Sequence, residues 1–208
     1  MHPNPAFRHE PAERALATAR ERGFGVLTVA SEAGVLAAHV PFVLDDAGTA
    51  LEAHLVRSNP LARALRAGPA DALLIVSGPD AYVSPDWYGD PAQVPTWNYV
   101  AVHLRGRLAL RPDETLRPHL DLLSARFEER LPKPPWTTAK MPLDKMASMM
   151  RQIVPVAMTG IAVESTFKLN QNKPAHARAG AAAAIAAGGT PGMATAALAA
   201  LMRGVPEG

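Results

Sequence analysis

Short apolar runs separated by polar, glycine-containing stretches dominate the first third of the chain. Phe24 to Ala30 is apolar and rich in β-branched residues, the pattern of a buried strand. Val35 to Leu44 and Ala50 to Val56 repeat it. Ser31-Glu32-Ala33-Gly34 and Asp45-Asp46-Ala47-Gly48 lie between them. Gaps of that length and composition are hairpin turns, so a three-strand meander is predicted. Ahead of it, Ala12, Ala15, Leu16 and Ala19 form a narrow apolar face between Arg and Glu. That spacing predicts a helix over 11–22, ended by Gly23.

The pattern then changes. Asn59 is a good cap and Pro60 fits a first helical position, so a short helix is predicted over 61–67. Ala72 to Ser77 is another buried strand. Tyr99 to Leu110 is a longer one, with Gly106 marking a bulge or bend. Leu116, Leu120, Leu123, Phe127 and Leu131 recur at three- and four-residue spacings, a strongly amphipathic helix. Pro118 requires it to start near Thr115. Pro142 to Gln152 is a Met-rich helix. Ile153 to Leu169 is a final strand, or two with a bend at Gly160. After Arg178 the composition shifts to Ala and Gly, so residues 1–178 are taken as one domain and 179–208 as a low-complexity tail. About six strands joined by meander turns, with helices inserted, predict a mainly β fold with accessory helices.

Composition removes several chemistries. The 208 residues contain no cysteine, which excludes disulfides, a thiolate nucleophile and Cys-ligated metals. Net charge is +2, and the arginines form no dense basic block of the kind that marks a nucleic-acid footprint. No basic segment followed by an apolar run opens the chain, and no apolar stretch is long enough to span a bilayer. A cytoplasmic protein without membrane association is expected.

The aromatics are concentrated. Two of the three Trp and all three Tyr fall from Gly78 to Tyr99. Aromatic faces with fixed polar groups between them suit a flat heteroaromatic ligand; they equally suit a structural corner packed by its own rings. His54 to Pro60 ends a strand and opens a helix. Its free amides, with Arg57, Ser58 and Asn59, suit either a phosphate or a plain helix cap. Lys168 to Lys173 closes the last strand with polar side chains, as a solvated end or a clamp over a ring. His39, His54 and His103 sit on predicted strands without metal spacing.

In series these segments resemble the PaiB-type family of FMN-binding negative transcriptional regulators. The motifs are His39-Val40-Pro41, Asn59-Pro60, Gly78 to Tyr88, Val94 to Tyr99, Val102 to Gly106 and Lys168 to Asn172. One departure is Asn170, where the family usually has Ser. The resemblance implies an FMN-binding split β-barrel of the pyridoxamine phosphate oxidase type. It also implies a homodimer with FMN at the subunit interface. By position it assigns the phosphate to His39, Val40, Pro41, His54, Arg57 and Asn59. Ring and ribityl contacts fall to Thr96, Trp97, Asn98, Lys168, Gln171 and Asn172. Three functions stay open: a regulator that uses FMN as ligand or sensor, a flavin-dependent oxidoreductase, and a haem-binding protein. DNA contact has no visible motif behind it.

Overall fold

The computed structural model describes residues 1–32, 34–90, 92–190 and 193–205. Ala33 of the predicted first turn, and 191–192 and 206–208 of the tail, lie outside them. The described residues contain six strands: β1 Phe24–Ser31, β2 Gly34–Leu44, β3 Ala50–Val56, β4 Ala70–Val83, β5 Thr96–Leu110 and β6 Ile153–Lys168. They also contain six α-helices: α1 Ala12–Arg22, α2 Pro60–Ala64, α3 Leu116–Glu128, α4 Leu143–Met150, α5 Ala175–Ala186 and α6 Thr195–Arg203.

This corrects the expected mainly β split barrel. Helices occupy too much of the chain for that class, and the fold is mixed α/β. The strands form one sheet in the order β1-β2-β3-β6-β5-β4, with β1 bonded to β2 on one flank and to β4 on the other. A split arrangement is therefore not what the pairing gives. The added helix comes largely from the Ala-rich tail. Alanine has the highest helix propensity, and its small side chain still buries against a neighbour.

The chain divides into two compact units. One holds residues 19–76 and 103–163. Its meander forms as predicted: Phe24↔Pro41 through Ser31↔Gly34 in one hairpin, Phe42↔Ala53 through Leu44↔Leu51 in the next. β3 then pairs with β6, Val56 opposite Ile153. Alternate residues point inward, as a strand requires. Val40, Phe42 and Leu44 are buried on β2, and Leu51, Ala53 and Leu55 on β3. Gly23 has φ +55°, and a Cβ there would meet the Phe127 ring at 2.8 Å. The glycine both turns the chain and admits α3 close to it. Pro118 falls in the first turn of α3, where no helical hydrogen bond is lost.

The other unit holds residues 1–18, 77–102 and 164–208. Its core joins Ala81, Val83, Val100 and Phe167 from the strands to Ala181 and Ile185 of α5 and Leu198 and Met202 of α6. The tail thus supplies core. A Cβ on Gly180 would meet the Trp87 carbonyl oxygen at 2.7 Å, so the helix backbone approaches that turn closely. β4 is longer than predicted and runs through Gly78-Pro79. Its buried positions are Ala72, Leu74 and Val76 before that dipeptide and Ala81 and Val83 after it. The inward face changes parity there.

Candidate functional site

In the unit that includes the tail, the end of β6 meets the start of β5. Lys168 donates from Nζ to Thr96 Oγ1, and to the Trp97 carbonyl at 2.8 Å. Its ammonium also lies 5.9 Å from the Phe7 ring. Burial, then the positive charge of Lys173, holds that ammonium below the ordinary lysine range. The Trp97 indole is 46% exposed and meets Tyr82 edge-on at 6.5 Å. Strand alternation turns Asn98 the other way. It is fully buried, its Nδ2 donating to Met202 Sδ at 3.4 Å and its Oδ1 without a partner.

The residues after β6 fold back on themselves. Gln171 accepts from the Leu169 amide at 2.7 Å and donates to the Phe167 carbonyl. Its amide closes the strand end. Asn172 is exposed. Asn170 adopts φ +63°, which Asn tolerates better than most residues. It is buried, accepts from the Tyr88 hydroxyl at 3.4 Å and leaves Nδ2 without a partner. Lys173 reaches Gln93 Oε1 and lies 5.3 Å from the Tyr88 ring. Of the second predicted set, Thr96, Trp97 and Lys168 converge, while Asn98 and Gln171 serve the surrounding structure.

The first predicted set lies in the other unit and is more dispersed in role. His39 is exposed and stacks on Phe24 with centroids 6.2 Å apart. Val40 is a core side chain, and Pro41 pairs across from Phe24. Asn59 Oδ1 accepts from the Leu61 amide at 2.9 Å and caps α2. That helix is five residues long, so its dipole is small. Arg57 Nε donates to the Arg151 carbonyl at 2.9 Å and Nη2 to the Ile153 carbonyl at 3.0 Å. Its own amide donates to the Gln152 carbonyl at 2.8 Å. Asp113 lies 3.6 Å from the guanidinium. Arg57 therefore holds the corner between α4 and β6, and its fork is engaged by protein.

His54 belongs to a constellation that the sequence reading missed. Its Nδ1 lies 3.1 Å from Nε2 of His119 on α3, and His119 Nδ1 lies 3.8 Å from Glu52 Oε2. Glu52 and His54 share one face of β3 by alternation. His119 is 2% exposed. Burial and the neighbouring His54 push its pKa down to about 4, and burial lowers His54 as well. One signal was available: His119 falls on the same helical stripe as Leu116 and Leu123. Among the described residues, no group of His, Asp or Glu is arranged to hold a metal ion.

A family model described as "Putative FMN-binding domain" matches residues 1–160. The chain belongs to this family. It is 28% identical over 170 residues to the Protease synthase and sporulation protein PAI 2 of Bacillus subtilis (strain 168), covering 80% of each chain. Among solved structures it resembles the FAD and Heme binding protein from Mycobacterium smegmatis, with a TM-score of 0.54. That match has 18% identity over 76% of this chain and 71% of the other. It also resembles conserved hypothetical protein Rv2991 from Mycobacterium tuberculosis, with a TM-score of 0.56 and 15% identity. Coverage there is 84% and 94%. At such identities the likeness is one of fold. Among the described residues, no helix is long and apolar enough to cross a membrane.

Proposed function

We propose that this family member binds FMN, with Trp97, Thr96 and Lys168 as the residues that receive the isoalloxazine ring. The observation that carries the reading is the half-exposed Trp97 indole beside a partly desolvated ammonium that Thr96 Oγ1 and the Trp97 carbonyl hold in place. An aromatic face can stack on the flavin. A lysine has three N–H donors, and two of these are accounted for here. The third suits a ring carbonyl or a reduced ring's negative charge. The residues fit such a group.

A bound flavin would supply electron or hydride acceptance. This chain's part is to fix the ring and bias its charge. Lys168 would stabilise the anionic reduced form, and the aromatic surround would exclude water from one face. The phosphate is assigned to His39 and its neighbours on β2, with Arg57 a weaker candidate because its fork is engaged. The reading includes a homodimer, as the resemblance implies. It also takes a regulatory role over a catalytic one, because the relative PAI 2 is named for protease synthesis and sporulation.

The test is an absorption spectrum of the protein as isolated, then FMN titration of the apoprotein. Lys168→Ala and Trp97→Ala should each weaken FMN by about tenfold or more, the scale of one lost charge-assisted or stacking contact. Wild-type affinity in both variants would overturn the site. A Soret band in place of flavin absorption would overturn the cofactor.

A further inference from the structure

A cavity of about 310 Å³ lies in the unit formed by residues 19–76 and 103–163. Its lining is Val56 of β3, Leu120 and Ser124 of α3, four methionines (141, 146, 149 and 150), Trp136, Thr138, Gln152 and Ile153. No charged side chain is among them. Val56, on its wall, is 56% exposed. Methionines adapt their shape and contact aromatic rings through sulfur.

The outer wall of the cavity is pinned. Residues 132–142 contain four prolines, which limit its freedom. The Trp136 amide donates to Glu128 Oε2 at 2.8 Å, and Lys133 pairs with the same carboxylate. Thr138 Oγ1 donates to Asp121 Oδ1 at 2.8 Å and accepts from Arg117. Arg57 holds the opposite corner through the carbonyls of Arg151, Gln152 and Ile153. Walls tethered from both sides hold the shape of the cavity, and a shaped apolar pocket with a few polar groups suits a small ligand.

We propose that this pocket binds a small uncharged aromatic molecule of about two fused rings, a ligand distinct from the flavin. The volume is about twice that of a cavity that takes benzene, ~150 Å³. A lining without charge gives no partner to a phosphate, so FMN is not its ligand. Ser124, Thr138 and Gln152 can orient one hydroxyl or amide.

The experiment is calorimetric titration of the full chain, with its flavin as isolated, using 2-naphthol as the probe. One site with a dissociation constant of roughly 10–100 µM is expected for a ligand of this size. The anion 2-naphthalenesulfonate should bind at least about tenfold more weakly, because its charge would be buried unpaired. Ser124→Phe should fill the volume and abolish binding while the thermal midpoint stays within a few degrees. Should that variant not fold, Met149→Lys at the half-exposed rim should weaken 2-naphthol instead. Excess FMN should leave binding unchanged. The proposal is overturned by absent saturable heat, by equal affinity for the sulfonate or by indifference to these substitutions. It is also overturned by displacement with FMN, or by affinity that falls as protein concentration rises, which would mean that a second copy covers the pocket.

Discussion

His54 Nδ1 sits 3.1 Å from His119 Nε2, in a setting where one ring is almost wholly buried. At that distance one nitrogen donates and the other accepts, so the pair is comfortable neutral and resists protonation. His119 takes up a proton near 6.5 in the unfolded chain and only near 4 in the folded one. The folded state therefore binds fewer protons between those values. Its contribution to stability is complete above pH 6.5 and is lost as pH falls toward 4. Up to about 3 kcal/mol is at stake by linkage. Urea midpoints measured from pH 7 to pH 4 should fall over this window. His119→Gln keeps a hydrogen-bonding group against His54 without the charge and should flatten the slope.

Arg57 joins the end of β3 to the α4–β6 corner through two carbonyls. Arg57→Ala leaves both acceptors without these donors and should destabilise by about 1–3 kcal/mol. Arg57→Lys cannot span both and should recover only part of that. The ion pair adds little, because Asp113 is 71% exposed. Denaturant midpoints check the ranking. Lys168→Ala should show the converse, with weaker FMN and an almost unchanged midpoint. If Arg57→Ala lowers FMN affinity with no loss of stability, Arg57 acts on the phosphate and not as a clamp.

The meander was legible because period-two alternation and hairpin turns are local signals. Phe24 to Val56 paired as the pattern predicts. The Leu116–Phe127 stripe was legible for the same reason. The β4 extension through Gly78-Pro79 was not, because proline and glycine normally end a strand; here close packing decides, since a Cβ on Gly78 would meet Val100 Cβ at 2.8 Å. The tail was unreadable because Ala and Gly carry no amphipathic contrast. Its order comes from partners such as Phe167 and Val83, more than ten residues away in sequence. At the candidate site, the contact of Lys168 with Thr96 was anticipated only as motif membership. The His54–His119 pair needs β3 and α3 to meet, which no local pattern states.

Gly106 gives a purely steric prediction. β5 is continuous through it, and a Cβ there would lie 2.6 Å from the Thr159 carbonyl oxygen and 2.8 Å from Met158 Cγ. Backbone cannot retreat as a flexible side chain can. Gly106→Ala should therefore push β5 from β6 and destabilise by about 1–3 kcal/mol, the range for overpacking. Gly68→Ala offers a contrast, since open space surrounds it and only its φ of +141° opposes the change. Thermal midpoints should separate a packing clash from a backbone penalty, with Gly106→Ala also perturbing amide signals on β6.

The helices after β6 determine whether their unit holds together. Leu198 of α6 is fully buried in the cluster that includes Val83, Val100 and Phe167. Leu198→Ala should cost about 2–5 kcal/mol, as removal of a buried leucine does when the space cannot close. Met202 is equally buried and takes the Asn98 amide. Met202→Leu preserves volume but removes that acceptor, leaving Asn98 with no partner on either side-chain atom. It should destabilise by about 1–3 kcal/mol through the unpaired buried amide alone. In Met202→Leu/Asn98→Leu the polar group is gone and most of that loss should return. If the double variant is no more stable than the single one, Asn98 is held by something other than the sulfur of α6.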